Sequence, residues 1–193
     1  MLENLLKYNI LLASNSPRRR ELLGGLGISY RVVSLPEIDE SYPSTLQGCE
    51  IPSYIAQKKA DAYRSMMTQD TMLITADTIV WLDGKVYGKP VDEENARQML
   101  RELSGRTHTV ITGVAITTSD RQKVFAVESK VTFAAITDEE IDYYVTQYKP
   151  LDKAGAYGIQ EWIGYIGVTG LEGSYFNVMG LPIQRLYNEL KTF

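Results

Sequence analysis

The sequence contains very little cysteine and histidine. Cys49 is the only cysteine and His108 the only histidine among 193 residues. A disulfide framework, a zinc cluster and a catalytic Cys–His pair are therefore poorly supported, and we expect a reducing, cytoplasmic compartment. A chain of this length buries a sizeable core without a disulfide or a structural metal. We predict one domain spanning residues 1–193.

Long apolar runs and a net positive charge are also missing. No stretch approaches the roughly 18 apolar residues of a membrane span, and residues 1–13 lack the apolar core of a signal peptide. We therefore predict no membrane association. The formal net charge of −4 argues against a general nucleic-acid binder, because such proteins neutralise backbone phosphates with Lys and Arg. A small anionic ligand needs only local positive charge.

Short apolar runs alternate with amphipathic stretches, which predicts a mixed α/β fold. A strand at residues 10–13 and a helix that starts near Pro17 form a βα unit. The other predicted strands are residues 30–33, 72–76, 80–82, 86–87, 108–117 and 123–134. The other predicted helices are residues 53–66, 92–103, one begun by a capping box at Thr137 and Glu140, and residues 182–190. One compact unit and two lobes around a central cleft are equally compatible with this pattern.

Residues 14–20 read Ser-Asn-Ser-Pro-Arg-Arg-Arg. Ser16 is expected to cap a helix whose first residue is Pro17, so three arginines crowd the first turn. A helix N-terminus is already positive, and each cation there costs about 0.3–1 kcal/mol. A bound anion would make the arginines favourable at this position. Free backbone N–H groups beside guanidinium groups suit the binding of a triphosphate. The alternative is that the arginines pair with surface acids.

Asp77 directly follows a mostly apolar run, residues 72–76. We expect Asp77 at the C-terminal end of the strand 72–76, where open α/β sheets tend to bind ligands. It would bind a metal or orient a water, with the Thr78 hydroxyl beside it, unless it only caps a turn. Residues 88–90, Gly-Lys-Pro, offer Lys89 to a phosphate, although this tripeptide is also common in surface turns.

Residues 152–160 read Asp-Lys-Ala-Gly-Ala-Tyr-Gly-Ile-Gln. The small residues let the backbone approach a ligand closely, and Gln160 carries both a donor and an acceptor for a base edge. An ordinary glycine-rich turn is the alternative. We expect His108 to be structural, because no cysteine or second histidine is available as a metal partner.

Six segments, in this order, resemble the Maf family of nucleotide pyrophosphatases over nearly the whole chain. They are residues 14–19, 76–78, 88–90, 105–108, 152–160 and 177–182. The resemblance implies a mixed twisted sheet with flanking helices, related to the inosine triphosphate pyrophosphatases. It also implies two lobes around a nucleotide cleft, frequently in a homodimer, and hydrolysis of a nucleoside triphosphate to monophosphate and pyrophosphate.

The resemblance also implies a role for individual residues. Asp77 matches the catalytic proton acceptor, and Arg19 matches a residue for specificity and phosphate binding. Ser14, in the same segment, is expected to bind the substrate as well. The remaining matches are Thr78 and Gln160 for substrate selection, Lys59 and Lys89 for the phosphates, and Glu40 as an acid that holds a metal with Asp77. The metal would be Mg²⁺ or Mn²⁺.

Residues 152–160 resemble the branch of the family that acts on dTTP and UTP. Glu161 departs from the pattern, since many relatives have glycine there, and this leaves the shape of the adjoining loop open. Two alternatives remain. One is a pyrophosphatase for another modified nucleotide such as 7-methyl-GTP, and the other is a non-catalytic nucleotide-binding protein linked to septum formation.

Overall fold

The computed structural model describes residues 2–34 and 38–193. The chain divides into two compact units. Unit 1 comprises Met1–Asp77, Thr112–Val127 and Gly180–Phe193, and unit 2 comprises Thr78–Ile111 and Glu128–Met179.

The described residues form a mixed α/β fold. The strands are β1 (Asn9–Ala13), β2 (Arg31–Val33), β3 (Thr71–Leu82), β4 (Lys85–Tyr87), β5 (Thr107–Thr117), β6 (Gln122–Phe133) and β7 (Val168–Glu172). The helices are α1 (Pro17–Gly24), α2 (Glu50–Tyr63), α3 (Glu93–Leu103), α4 (Asp138–Tyr148), α5 (Trp162–Gly167), α6 (Tyr175–Val178) and α7 (Ile183–Leu190). Short 3₁₀ turns occupy Glu3–Leu5, Arg64–Met66 and Ala154–Ala156. No helix in the described ranges has the length and apolar character to cross a membrane.

The strands form a mixed sheet in the order β2-β1-β3-β5-β6-β7, with β4 paired to β3. β1 runs parallel to both β2 and β3, whereas the β3–β4 and β6–β7 pairs are antiparallel. This sheet and its helices confirm the fold class that the alternating pattern predicts.

In unit 1, helix α2 packs very closely on the sheet. Small side chains allow this approach, because Ala56 and Ala60 are fully buried against Ala115 of β5. A Cβ atom on Gly113 would lie 2.3 Å from the Pro52 carbonyl group, so only glycine fits at this contact. The Thr75 hydroxyl donates to the Ala56 carbonyl oxygen at 2.6 Å. The rotation and depth of α2 are therefore fixed relative to β3 and β5.

Unit 2 contains local signals that the sequence predicts well. Asp83 and Gly84 adopt φ angles of 50° and 78° between β3 and β4, as a tight hairpin turn requires. Thr137 and Glu140 form the predicted capping box at the start of α4. The core of this unit collects apolar side chains from several elements, including Val80, Leu100, Val131, Phe133, Ile141, Val145 and Ile163.

Two predictions about element bounds are wrong. Strand β3 is continuous from Thr71 to Leu82, so Asp77 lies inside a strand and not at its C-terminal end. Helix α2 begins at Glu50, three residues before the predicted start, with Pro52 in its first turn, a position that tolerates the missing N–H. The sequence does not predict α5, β7 or α6, because the closely spaced glycines of this segment are typical of loops.

His108 is a core residue of unit 2, as expected. It is 1% exposed, its Nε2 atom lies 2.7 Å from the Tyr157 hydroxyl, and its ring meets those of Phe133 and Tyr157 edge to face. Nδ1 is buried without a hydrogen-bond partner among the described residues. Burial lowers the pKa of this imidazole from 6.5 to about 4 and raises the pKa of Tyr157.

Acidification between pH 6.5 and 4 should therefore destabilise the protein. In this window the unfolded imidazole binds a proton and the folded one does not, so the stabilisation is complete above pH 6.5 and is lost toward pH 4. The loss from this group is at most about 1.4 kcal/mol per pH unit. Urea unfolding at several pH values measures it, and His108→Gln should show a shallower dependence across the same window. An equally steep profile in the variant would contradict the assignment.

Candidate functional site

Arg19 is fixed at the start of α1 by backbone carbonyl groups. Ser16 caps the helix, its hydroxyl accepting from the Arg19 N–H at 3.5 Å. The Arg19 guanidinium donates to the carbonyl oxygens of Gly180 at 2.8 Å and Ala76 at 2.9 Å. A longer contact of 3.5 Å reaches the hydroxyl of Ser14, which is itself buried. These hydrogen bonds fix the orientation of the Arg19 side chain, and its guanidinium group contacts the backbone of Ala76, the residue before Asp77.

The charge of Arg19 is partly desolvated. Burial lowers the pKa of its guanidinium group, and the positive charge of Arg18 lowers it further. The negative charges of Asp77 and Glu40 raise the pKa and offset part of this shift. An arginine remains protonated under such conditions. Arg20 is exposed, whereas Arg18 and Arg19 are both partly buried.

Lys59 of α2 brings two carboxylates together in unit 1. Its ammonium nitrogen lies 2.8 Å from Asp77 Oδ1 and 2.9 Å from Glu40 Oε1. The side chains of Lys59 and Asp77 are only 10% and 12% exposed, whereas that of Glu40 is 47% exposed. Five predicted site residues, Ser14, Arg19, Glu40, Lys59 and Asp77, thus belong to one neighbourhood of unit 1.

Lys58 holds the segment that carries Glu40. Nothing in the sequence indicates this contact. Its ammonium group contacts Asp39 Oδ2 at 3.2 Å and the Ser41 carbonyl oxygen at 3.1 Å. Hydrogen bonds from the hydroxyl and backbone N–H of Ser41, followed by the one from Lys58, lower the pKa of Asp39 to about 2. Consecutive lysines of α2 therefore contact consecutive acids, Asp39 and Glu40. Residues 35–37 of the acidic segment lie outside the described residues.

Unit 2 contains the other three predicted residues. Thr78 follows Asp77 in β3, and Lys89 is exposed just after β4. The Gly88 carbonyl oxygen accepts from the Gly155 N–H at 3.1 Å, which joins the Gly-Lys-Pro segment to residues 152–160. Gln160 is partly buried, and its Oε1 atom is buried without a hydrogen-bond partner among the described residues.

No group of three or more His, Cys, Asp or Glu side chains able to hold a metal occurs in residues 2–34 and 38–193. The donor set around Lys59 consists of two carboxylates, which are hard oxygen ligands. Mg²⁺ is commonly held by one or two carboxylates together with substrate phosphates and water. Glu40 and Asp77 fit that manner of binding and do not form a closed metal cage.

Two solved structures of low sequence identity have a similar fold. A Ham1 protein of Staphylococcus aureus is 18% identical, with a TM-score of 0.55, and the match covers 94% of this chain and 99% of that one. A HAM1 protein of Coxiella burnetii is 16% identical, with a TM-score of 0.52 over 96% and 100% of the two chains. These matches show that the chain has the α/β fold of the Ham1 proteins.

Residues 9–193 match the model of the family described as Maf-like protein, and the chain belongs to this family. A dTTP/UTP pyrophosphatase of Phocaeicola vulgatus is 67% identical over 99% of both chains. Proteins of the same name from Bacteroides thetaiotaomicron and Parabacteroides distasonis are 63% and 60% identical, over 99% and 100% of both chains. The family predicted from the six segments is confirmed.

Replacing Lys59 with Met should lower the free energy of unfolding by about 2–3 kcal/mol, because the carboxylates of Asp77 and Glu40 would lose their shared ammonium group. Lys58→Met is a matched control on the same helix. Its partner Asp39 is 72% exposed, so the loss there should stay below about 1 kcal/mol. Urea denaturation at pH 7 measures both values. Equal losses would show that burial around Lys59 does not strengthen its ion pairs.

Proposed function

We propose that the protein hydrolyses dTTP and UTP to the nucleoside monophosphate and pyrophosphate. The relatives at 60–67% identity over nearly the whole chain carry the name dTTP/UTP pyrophosphatase. The structural observation that carries the proposal is the Lys59 ammonium group between Asp77 and Glu40. This arrangement provides acid–base and phosphate-binding groups in a single small region of unit 1.

Asp77 is the proposed catalytic residue. Its carboxylate accepts the proton of the water that attacks the α-phosphorus, and the bond to the bridging oxygen of the pyrophosphate breaks. Lys59 holds one carboxylate oxygen, Oδ1, at 2.8 Å, which limits the rotation of the group. The fixed orientation favours proton transfer because no reorganisation is needed when the water reacts.

Arg19 and Lys59 are proposed to stabilise the negative charge of the triphosphate. The guanidinium group is already oriented by the carbonyl oxygens of Ala76 and Gly180, so phosphate binding costs it little side-chain entropy. Lys89, exposed on its loop in unit 2, adds a point charge for a terminal phosphate. Ser14 supports Arg19 through its hydroxyl.

Gln160 is proposed to bind the base. Its buried Oε1 accepts no hydrogen bond from the described residues, and the N3–H group of uracil or thymine is a donor of the required kind. The amide nitrogen of Gln160 can donate to a neighbouring carbonyl oxygen of the same base. Cytosine presents an acceptor at N3, so it would leave Oε1 facing a lone pair. Thr78 is the second residue proposed for substrate selection.

A divalent cation, Mg²⁺ or Mn²⁺, is proposed to be held by Glu40 and Asp77. When bound, it would polarise the phosphoryl oxygens and neutralise part of their charge. The two carboxylates suit such an ion because they supply oxygen ligands while the substrate and water supply the others.

The test is turnover of a panel of triphosphates with Mg²⁺, scoring monophosphate and pyrophosphate as products. The panel contains dTTP, UTP, CTP, their 5-modified forms and 7-methyl-GTP. We expect dTTP and UTP to be hydrolysed in preference to CTP and 7-methyl-GTP. Preference for 7-methyl-GTP would favour the other family branch, and absence of turnover on every substrate would favour a non-catalytic nucleotide-binding protein.

Replacing Asp77 with Asn should lower kcat for dTTP at least about 100-fold, because the amide keeps the shape of the side chain but cannot accept the proton. Asp142→Asn, a change at an exposed aspartate of α4, is the matched control and should keep full activity. Thermal unfolding of both variants verifies the fold. Near-full turnover by a folded Asp77→Asn protein would reject the assignment.

A further inference from the structure

The turn that carries Gln160 is anchored by a buried network of charged and polar side chains. The Glu161 N–H donates to the Gly158 carbonyl oxygen at 3.0 Å, so residues 158–161 form a closed turn with Gln160 as its third residue. Glu161 stands at the N-cap of α5 but makes no capping hydrogen bond with its side chain. Its carboxylate is directed to other groups of unit 2.

The hydroxyl of Tyr144 contacts both ends of this turn. It donates a hydrogen bond to Glu161 Oε2 and accepts one from the Gly158 N–H at 3.1 Å. Tyr144 lies on α4, is fully buried and stacks on Tyr148 with ring centroids 5.0 Å apart. A rigid helix thus holds the first and fourth residues of the turn through one oxygen atom.

Lys153 balances the charge of Glu161. Its ammonium nitrogen lies 3.2 Å from Glu161 Oε1 and 2.7 Å from Asp152 Oδ1. The side chains of Lys153 and Glu161 are 8% and 20% exposed. An ion pair at this depth is held in one geometry and is costly to break from one side.

Two glycines allow close packing in and next to the turn. A Cβ atom on Gly158 would lie 2.9 Å from the Glu161 carboxyl carbon and 3.0 Å from Gln160 Nε2. A Cβ atom on Gly164 would lie 1.8 Å from the Ile159 carbonyl oxygen. The Glu161 carboxylate and the Gln160 amide therefore pack against the same glycine, and displacement of one changes the space available to the other. Trp162, the next residue, packs edge to face on Tyr143 at 4.8 Å.

We propose that Glu161, held by Lys153 and Tyr144, is a positioning residue that sets the Gln160 amide for recognition of the uracil or thymine base. The inference rests on the proposed function, since it concerns the base that Gln160 selects. Glu161 itself need not touch the substrate. It determines specificity by fixing the backbone on either side of Gln160. The buried Oε1 atom is thereby kept directed at one hydrogen-bond donor, the N3–H group of the bound uracil or thymine.

The test compares Glu161→Ala and Tyr144→Phe with the parent protein. Tyr144→Phe keeps the buried ring and removes only the hydroxyl, so it examines the same network with little effect on packing. We expect kcat/KM for UTP to fall about tenfold in each variant, mainly through KM, with less than a twofold change for CTP. Because both changes release one turn, the double variant should lose no more than either single variant.

Three controls separate positioning from general damage. Glu161→Gln keeps an acceptor for Tyr144 and should recover part of the UTP preference. Glu128→Ala removes an exposed glutamate of β6 in the same unit and should leave the preference unchanged. Inhibition by inorganic triphosphate, which has no base, should be equal in all variants.

Equal losses for UTP and CTP, or weaker inhibition by inorganic triphosphate, would overturn the proposal in favour of a structural role for Glu161. Unchanged UTP preference in both single variants would also overturn it. If the parent protein hydrolyses no pyrimidine triphosphate, the proposed function fails with the inference, and this outcome is evident before any variant is measured.

Discussion

The charged contact on which unit 1 depends is the ammonium group of Lys59 between the carboxylates of Asp77 and Glu40. Asp77 lies within a strand where an unpaired charge would be expensive, and Lys59 removes that cost. The lysine reaches this place only because α2 packs on the sheet through alanines and Gly113. The glycine contact at Pro52 therefore helps to place the ammonium group of Lys59, which lies about two turns further along the same face of α2. Arg19 joins this cluster through its hydrogen bond to the carbonyl group of Ala76.

Much of the fold could be predicted because its signals are local. Ser16 and Pro17 define the start of α1, Asp83 and Gly84 define a hairpin, and the capping box defines α4. The continuity of β3 could not be predicted, since Asp77 and Thr78 interrupt the apolar pattern and resemble the end of a strand. The partner that makes Asp77 tolerable inside the strand is 18 residues away in sequence, and periodicity contains no information about it.

The sequence indicates residue types for the candidate site but not their contacts. The arginine-rich segment indicated an anion site from helix electrostatics, yet Arg19 is also a structural residue that satisfies two backbone carbonyl groups. The sequence contains no signal for the contact between Lys58 and Asp39, because single lysines and aspartates are common in helices and loops of every kind. Glu161 stood out only as a departure from the family pattern, and its buried contacts with Lys153 and Tyr144 depend on tertiary structure.

The contact between Trp162 and Tyr143 places a fluorescent side chain next to the turn that carries Gln160. Trp162 follows Glu161 directly and is partly buried against the core of unit 2, so its indole emission depends on how the start of α5 is packed. The only other tryptophan, Trp81, lies in β3, and replacing it with Phe would leave a single tryptophan, beside the turn. A change in the packing of this turn then becomes observable in real time, without a label and without turnover.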